Sequence, residues 1–293
     1  MLYNMVKPVI AITGADGFIG SSLLQYFRGH NYSVIALVRN ASLIPGAEVR
    51  SFNLEHTPRP DLLQGVDVLI HCAFIKIDSH ADAGKLNYEG TKSLIECAYS
   101  NKVKKIIFFS SVSAHEHALS SYGKSKLAAE SLFNLQTDAI LKCSLVIGNN
   151  GLFQRMLHHV LSKRFIPLIN GGQQPLQIIA IDDVLKAVDF IINNNITGNF
   201  ILANRQQFTY RSFFKTLARI NNRRILFIPI PVLLLQAVIY ISNLFNLHLP
   251  VNKDNLEGLK AMNYLNPDNS LAQLHLVPLS LEEKTEQLKA EGV

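Results

Sequence analysis

Thr13-Gly14-Ala15-Asp16-Gly17-Phe18-Ile19-Gly20 follows the apolar run Val9-Ile10-Ala11-Ile12 and precedes an amphipathic segment over residues 22–27. That order reads as strand, glycine-rich turn, helix. Gly14 can make the sharp exit from the strand. Gly17 omits a Cβ where a pyrophosphate would approach the backbone, and Gly20 lets the helix pack closely on the sheet. The free N–H groups and the positive dipole end of the new helix then face the phosphates. A purely structural glycine turn is the competing reading. The strand before and the helix after are the context a dinucleotide site requires. Gly14, Asp16, Gly17, Phe18, Ile19 and Gly20 are therefore the expected cofactor-binding residues of the turn.

Working outward, Ser33-Val34-Ile35-Ala36-Leu37-Val38 reads as a second strand, buried on both faces and ending at Arg39. A strand end that prefers NAD usually carries an acidic residue for the ribose 2′-OH. Arg39 can instead pair with a 2′-phosphate, so NADP(H) is favoured over NAD(H); a surface arginine is the alternative. Residues 49–52 form a short third strand ending at Asn53-Leu54. Residues 66–71 form a fourth, closing on Cys72-Ala73, whose small side chains would let a dinucleotide lie against the strand end. His71 reads as a buried, hydrogen-bonded histidine rather than a catalyst. A helix over 87–101 places Leu94, Ile95 and Ala98 on one face. A fifth strand over 106–109 runs into Ser110-Ser111-Val112-Ser113, a helix covers 122–133, and a sixth strand covers 139–147. The alternation predicts an α/β fold, a Rossmann-type doubly wound parallel sheet over residues 1–147.

From residue 148 the rhythm loosens. Helices are expected over 152–161 and 213–220, an extended stretch over 176–181, and a strand over 200–202. Asp182 is placed to cap a helix running to 192. Residues 148–293 read as a smaller, irregular C-terminal substrate-binding lobe, with segments returning to the main sheet. Residues 225–251 carry no Asp, Glu, Lys or Arg, and their length could span a bilayer. Pro229, Pro231 and Pro250 interrupt or close the stretch, which leaves residues 232–247 as a short helix. That helix could be buried or seated on the surface, or make peripheral membrane contact.

The chain has 293 residues, 48% of them hydrophobic, enough for a full core and without a disorder signature. Its net charge is +6. The basic residues are dispersed and lack the aromatic interleaving of an RNA-binding surface, so nucleic acid is not an expected partner. An anionic small ligand and solvated basic faces account for the charge. Cys72, Cys97 and Cys143 are odd in number and sit in apolar runs, which predicts buried thiols in a reducing compartment. No Cys/His spacing reads as a metal site, and no secretory signal is legible, so a cytoplasmic location is expected.

Ser111, Tyr122 and Lys126, downstream of the glycine turn, form a coherent proton-transfer set. A tyrosine is a poor base at neutral pH because its ordinary pKa is near ~10. A neighbouring ammonium favours the phenolate and brings it toward the working range. Tyr122 and Lys126 are four apart and share one helical face. A serine hydroxyl can hold a substrate oxygen while a nicotinamide exchanges the hydride.

With those residues in view, the chain resembles extended short-chain dehydrogenase/reductases of the NAD(P)-dependent epimerase/dehydratase family. The resemblance is carried by the glycine turn, Ile70-His71-Cys72-Ala73, Asn87-Tyr88-Glu89-Gly90-Thr91, Phe109-Ser110-Ser111-Val112 and Tyr122-Gly123-Lys124-Ser125-Lys126. Ile179-Ala180-Ile181-Asp182-Asp183-Val184 matches a further family segment. The resemblance implies Tyr122 as acid/base, Lys126 on the ribose and tuning Tyr122, and Ser111 orienting the substrate, with Ser110 and Ser113 as fallbacks. It further implies Asn53, Leu54, Ala73 and Asn87 along the cofactor, a nucleotide sugar as substrate, and a homodimer. Two departures bear on the substrate. The interval from Ser111 to Tyr122 is short, and Leu176-Gln177 stands where sugar-nucleotide members often carry an arginine. Arg155, Arg164, Arg205 and Arg211 remain candidates for a phosphate contact. The competing function is a non-catalytic NADP(H)-binding sensor, or an assembly protein associated with a membrane.

Overall fold

The structure is a computed structural model that describes residues 7–40, 44, 47–77, 80, 82–236 and 253–292. The two apolar runs nearest the glycine turn become β1 (Ile10–Thr13) and β2 (Val34–Val38), every residue of which is buried. Strands with no polar face need cover on both sides. They find it in a parallel seven-stranded sheet with helices on both faces. Its other strands are β3 (Glu48–Ser51), β4 (Val68–His71), β5 (Lys105–Ser111), β6 (Ala139–Cys143) and β11 (Gly198–Leu202). The spatial order is β11-β6-β5-β4-β1-β2-β3. β1 lies between β2 and β4, with Ile10 opposite both Val34 and Val68. Strand order therefore reverses at β1/β4, and the carboxyl ends there form the crevice where open α/β sheets bind ligands.

Contacts divide the chain into two compact units. The first comprises residues 1–114, 125–142 and 184–200. Its core joins Leu37, Leu69, Ile106 and Ile140 of the sheet to Leu94 and Ala98 of α2 (Ala83–Ser100). Phe108 stacks on Phe133 with centroids 4.6 Å apart. α1 (Phe18–Gly29) buries Leu23, Leu24 and Phe27. α3 (Ser121–Glu130) begins in the second unit and continues into the first.

The second unit comprises residues 115–124, 143–183 and 201–293. β7 (Leu145–Ile147) pairs in parallel with β10 (Ile178–Ala180), and β8 (Phe165–Ile169) pairs in parallel with β13 (Leu226–Ile230). β9 (Pro175–Leu176) pairs antiparallel with β12 (Phe208–Thr209). α4 (Gly151–Ser162) inserts Phe153, Met156, Leu157 and Val160, a helical one-face spacing, into a core shared with Phe213 and Leu217 of α6 (Tyr210–Ile220). The C-terminal region adds α7 (Lys253–Lys260), α8 (Asp268–Gln273) and α9 (Leu281–Ala290).

Several local expectations change. The single strand expected over 139–147 is two strands in different sheets. They break at Ser144, whose N–H and hydroxyl both donate to the Leu202 carbonyl at 3.0 Å. Asp182 does not precede its helix. It lies in the first turn of α5 (Ile181–Asn193), paired with Lys284 at 2.6 Å. α2 begins at Ala83, one turn earlier than expected, so Asn87 sits inside the helix. Cys97 and Cys143 are buried, but Cys72 is half-exposed because it lies just past the end of β4. In the apolar stretch 225–251, residues 226–230 are a strand and 232–236 are helical, because Pro229 and Pro231 suit a strand without a central ladder better than a helix. The remainder of that stretch, 237–251, lies outside the described residues. No helix among the described residues is long and apolar enough to cross a membrane.

A second close backbone approach is at Gly90, where a Cβ would lie 2.3 Å from the Leu54 carbonyl oxygen and 2.9 Å from its Cα. Backbone cannot yield cheaply. Gly90→Ala should therefore lower stability by about 2 kcal/mol in urea unfolding. Gly29→Ala, with nothing within 4 Å of the new Cβ, should be neutral or stabilising by up to about 1 kcal/mol. Equal effects would contradict this packing account.

Candidate cofactor and catalytic site

Gly14 has φ +63°, and a Cβ there would sit 3.0 Å from both N and Cα of Ala73. A Cβ on Gly20 would meet the Gly14 carbonyl oxygen at 2.1 Å. These two glycines close the turn against β4 and the start of α1. Gly17 differs. Its backbone is extended, its N–H donates to the Gly14 carbonyl at 2.9 Å, and an added Cβ would lie 3.2 Å from that oxygen. No side chain caps α1, and no acidic residue occupies its first turn. Its leading N–H groups are thus left for an outside acceptor. Gly17 and Asp16 are exposed and Phe18 and Ile19 half-exposed beside that helix end. A dinucleotide pyrophosphate fits this cradle on both counts: missing Cβ atoms and unspent N–H donors.

The crevice wall beside it is fixed by Thr13. Its Oγ1 accepts the N–H groups of Cys72 and Ala73, both at 3.1 Å. Its hydroxyl proton is then free for His71 Nδ1 at 2.7 Å. His71 consequently carries its proton on Nε2 and donates it to Thr91 Oγ1 at 3.0 Å. His71 is 1% exposed. Burial, with the Lys126 ammonium second, pushes its imidazole down to about 3. It is a neutral structural bridge from β4 to α2, and Thr13 and Thr91 are members of the site that sequence reading did not single out. Thr13 stood inside the quoted stretch and Thr91 four residues past Asn87, but hydroxyl roles have no sequence period.

Asn87 is also buried. Its amide donates to the carbonyls of Ile75 and Ala83 and accepts the Ile75 N–H, each at 2.8 Å. It clamps the segment after Ala73 by both backbone groups. Leu54 is buried against Gly90, and the Asn53 side chain accepts the Glu55 N–H at 3.2 Å. Arg39 is exposed just past the end of β2. Its guanidinium makes no hydrogen bond or ion pair with a described residue.

Ser111 ends β5, and its hydroxyl accepts the Ser113 N–H at 3.1 Å. Ser110 instead donates to Glu130, which pairs with Lys142 at 2.9 Å. Lys142 also donates to the Ala114 carbonyl at 2.7 Å. That buried chain spends the Ser110 hydroxyl on structure. Lys126 is 5% exposed. Its ammonium donates to the Phe109 carbonyl at 2.6 Å and lies 4.6 and 4.8 Å from the Phe74 and Phe108 ring centres. Tyr122, one turn earlier on α3, is half-exposed. The start of that helix is secured by Ser120 Oγ, which accepts the Gly123 N–H at 3.1 Å.

Among the phosphate candidates, Arg205 is paired with Asp268 at 2.6 Å and Arg211 lies 4.7 Å over the Phe227 ring. Arg155 and Arg164 are exposed. Gln177 is not a phosphate contact in its present bonding. Its amide holds both backbone groups of Leu265 at 2.8 Å.

The β1–turn–α1 arrangement at the reversal of a parallel sheet is the one by which open α/β folds receive dinucleotides. The chain belongs to the NAD dependent epimerase/dehydratase family, whose profile matches residues 10–202. It is 34% identical over 132 residues to a ceramide reductase of Caulobacter vibrioides, a match covering 42% of this chain and 41% of that relative. It is 25% identical over 221 residues to a putative UDP-glucose 4-epimerase of Methanocaldococcus jannaschii, covering 61% of this chain and 72% of that one. The fold superimposes with TM-score 0.74 and 20% identity on UDP-glucose 4-epimerase of Thermotoga maritima, covering 94% of this chain and 96% of that one.

The folded state keeps His71 neutral where an unfolded histidine, with pKa near ~6.5, takes up a proton. Between those two values the unfolded chain binds more protons, so this contribution is complete above about pH 6.5 and declines as the pH falls. From pH 6.5 to 5 the loss should be about 2 kcal/mol. Urea titrations of the wild type and His71→Gln across that range should differ in slope by this amount; parallel slopes would contradict the neutral bridge.

Proposed function

We propose that this chain is an NAD(P)-dependent enzyme that moves hydride and proton at a secondary alcohol or ketone of a nucleotide sugar, with Tyr122 as acid/base. The observation that carries the proposal is the buried Lys126 ammonium, held to the Phe109 carbonyl one helical turn after Tyr122. Tyr122 takes the substrate hydroxyl proton at its phenolic oxygen and returns it in the reverse direction. Lys126 lowers the cost of that phenolate and binds the ribose. Ser111, whose hydroxyl proton is not needed by Ser113, orients the substrate oxygen. The bound dinucleotide would supply hydride acceptance and return at its nicotinamide. Gly14, Gly17 and Gly20 with Phe18 and Ile19 hold its pyrophosphate, and Ala73, Asn87, Asn53 and Leu54 line its path. The uncommitted Arg39 guanidinium supports NADP(H) over NAD(H). Residues 148–293 carry the substrate side of the reading.

A second reading has a specific support. The match to the ceramide reductase favours a lipid ketone, reduced with net consumption of NAD(P)H. An epimerase regenerates its cofactor within each turnover, so net cofactor oxidation separates the two.

Tyr122→Phe should keep dinucleotide affinity within about 3-fold and lose turnover by roughly 10²–10⁴-fold. UDP-sugars and long-chain ketones are to be screened with both cofactors. In the same series Arg39→Ala should weaken NADPH at least about 10-fold more than NADH. Unchanged turnover in Tyr122→Phe would sink the catalytic assignment, and equal loss of both cofactors would sink the preference.

A further inference from the structure

The ribbon formed by β8 and β13 alternates along its length. In β8, Ile166 and Leu168 are buried while Phe165 and Pro167 face out. The parallel register sets Leu226 beside Phe165 and Ile228 beside Pro167. Phe165, Leu226 and Ile228 are 55%, 50% and 48% exposed, and the chain then continues into Leu233 and Leu234, 79% and 57% exposed. An outward ribbon face would ordinarily be polar; this one is apolar at every pair.

Because the ribbon is parallel, both strands begin at the same end. Lys163-Arg164 leads into β8 and Arg223-Arg224 into β13, and the Arg164 carbonyl accepts the Leu226 N–H at 2.8 Å. Two dibasic pairs therefore stand together at one end of the apolar face, all four residues exposed. The guanidinium of Arg223 donates to the Leu161 carbonyl at the end of α4. The side chains of Lys163, Arg164 and Arg224 make no hydrogen bond or ion pair with a described residue. The sequence extends the asymmetry. Residues 139–181 and 190–253 hold 11 of the 28 lysines and arginines and none of the 22 acidic residues. Residues 237–252, inside the second of these segments, carry no Lys, Arg, Asp or Glu.

We propose that this face of the second unit seats on an anionic lipid bilayer, with the β8–β13 apolar side chains in the interface and Lys163, Arg164, Arg223 and Arg224 on lipid phosphates. Apolar burial and charge attraction together are the combination that holds a protein at an anionic interface. A second copy of the chain fits less well. It would bring the same cationic cluster and, within these segments, no acidic residue to meet it. This proposal is independent of the chemistry assigned to Tyr122.

The test uses the full chain in co-sedimentation with phosphatidylcholine vesicles, with and without phosphatidylglycerol. The wild type should sediment with the anionic vesicles, weakly with the neutral ones, and less as salt rises. Arg164→Glu/Arg224→Glu should weaken anionic partitioning by at least about 30-fold. Phe165→Ser/Ile228→Ser should weaken binding to both vesicle types, with circular dichroism and the thermal midpoint of each variant checked first. A wild type that stays in the supernatant would overturn the proposal. So would charge variants that partition as the wild type does, which would put binding in 237–252 alone. Sedimentation velocity supplies the remaining contrary outcome: a dimer dissolved by Phe165→Ser/Ile228→Ser, without vesicle binding, would mark the face as self-association.

Discussion

The hydroxyl of Thr13 is the joint on which the crevice depends. It accepts two N–H groups from the turn after β4 and gives its own proton to His71. Those bonds fasten the carboxyl end of β1 to that of β4, the place where strand order reverses. They also fix the tautomer of His71 and, through it, the contact with Thr91 on α2. A buried network of this kind is worth most when every member is satisfied, and here each is. Once β1 and β4 are held together, Gly14 must pass Ala73 at van der Waals distance, and α1 can start only if Gly20 has no side chain. The open end of α1 follows from Gly17 at its N-cap, which has no side chain to turn back on the helix.

The same economy appears around the proposed catalytic helix. Glu130 and Lys142 neutralise each other in a largely buried pair and take up Ser110 and the Ala114 carbonyl. Lys126, one turn earlier on the same face of that helix, lies against two phenyl rings and donates to the Phe109 carbonyl. One lysine is thus neutralised by an acid, while the other is held against aromatic rings and a backbone carbonyl.

Much of the first unit was legible in the sequence because its strands are continuous apolar runs and its helices keep a 3.6-residue period. Leu94, Ile95 and Ala98 could be placed on a buried face from spacing alone, and they are buried. Three kinds of feature were not legible. Ser144 ends one strand and starts another through bonds to Leu202, a partner 58 residues away that no local pattern announces. β8 and β13 were hidden because a five-residue apolar strand cannot be told from the start of an apolar helix by composition, and Pro229 and Pro231 mark a break without saying what lies on either side. Of the proposed site residues, the glycines, Ser111, Tyr122 and Lys126 stood out by spacing. Thr13, Thr91 and Glu130 did not, because their roles are set by which strand or helix lies opposite.

The central claim is that the open end of α1 holds a dinucleotide pyrophosphate. Gly17 tests it best, since Gly14 has a left-handed backbone and Gly20 would clash with backbone, so substitutions there would disturb the fold itself. Calorimetric titration of NADH and NADPH into the wild type and Gly17→Val, each with its thermal midpoint recorded, is the direct measurement. The account predicts an intact thermal midpoint and an affinity lowered at least about 100-fold for both cofactors. Undiminished binding in a folded Gly17→Val protein would contradict it.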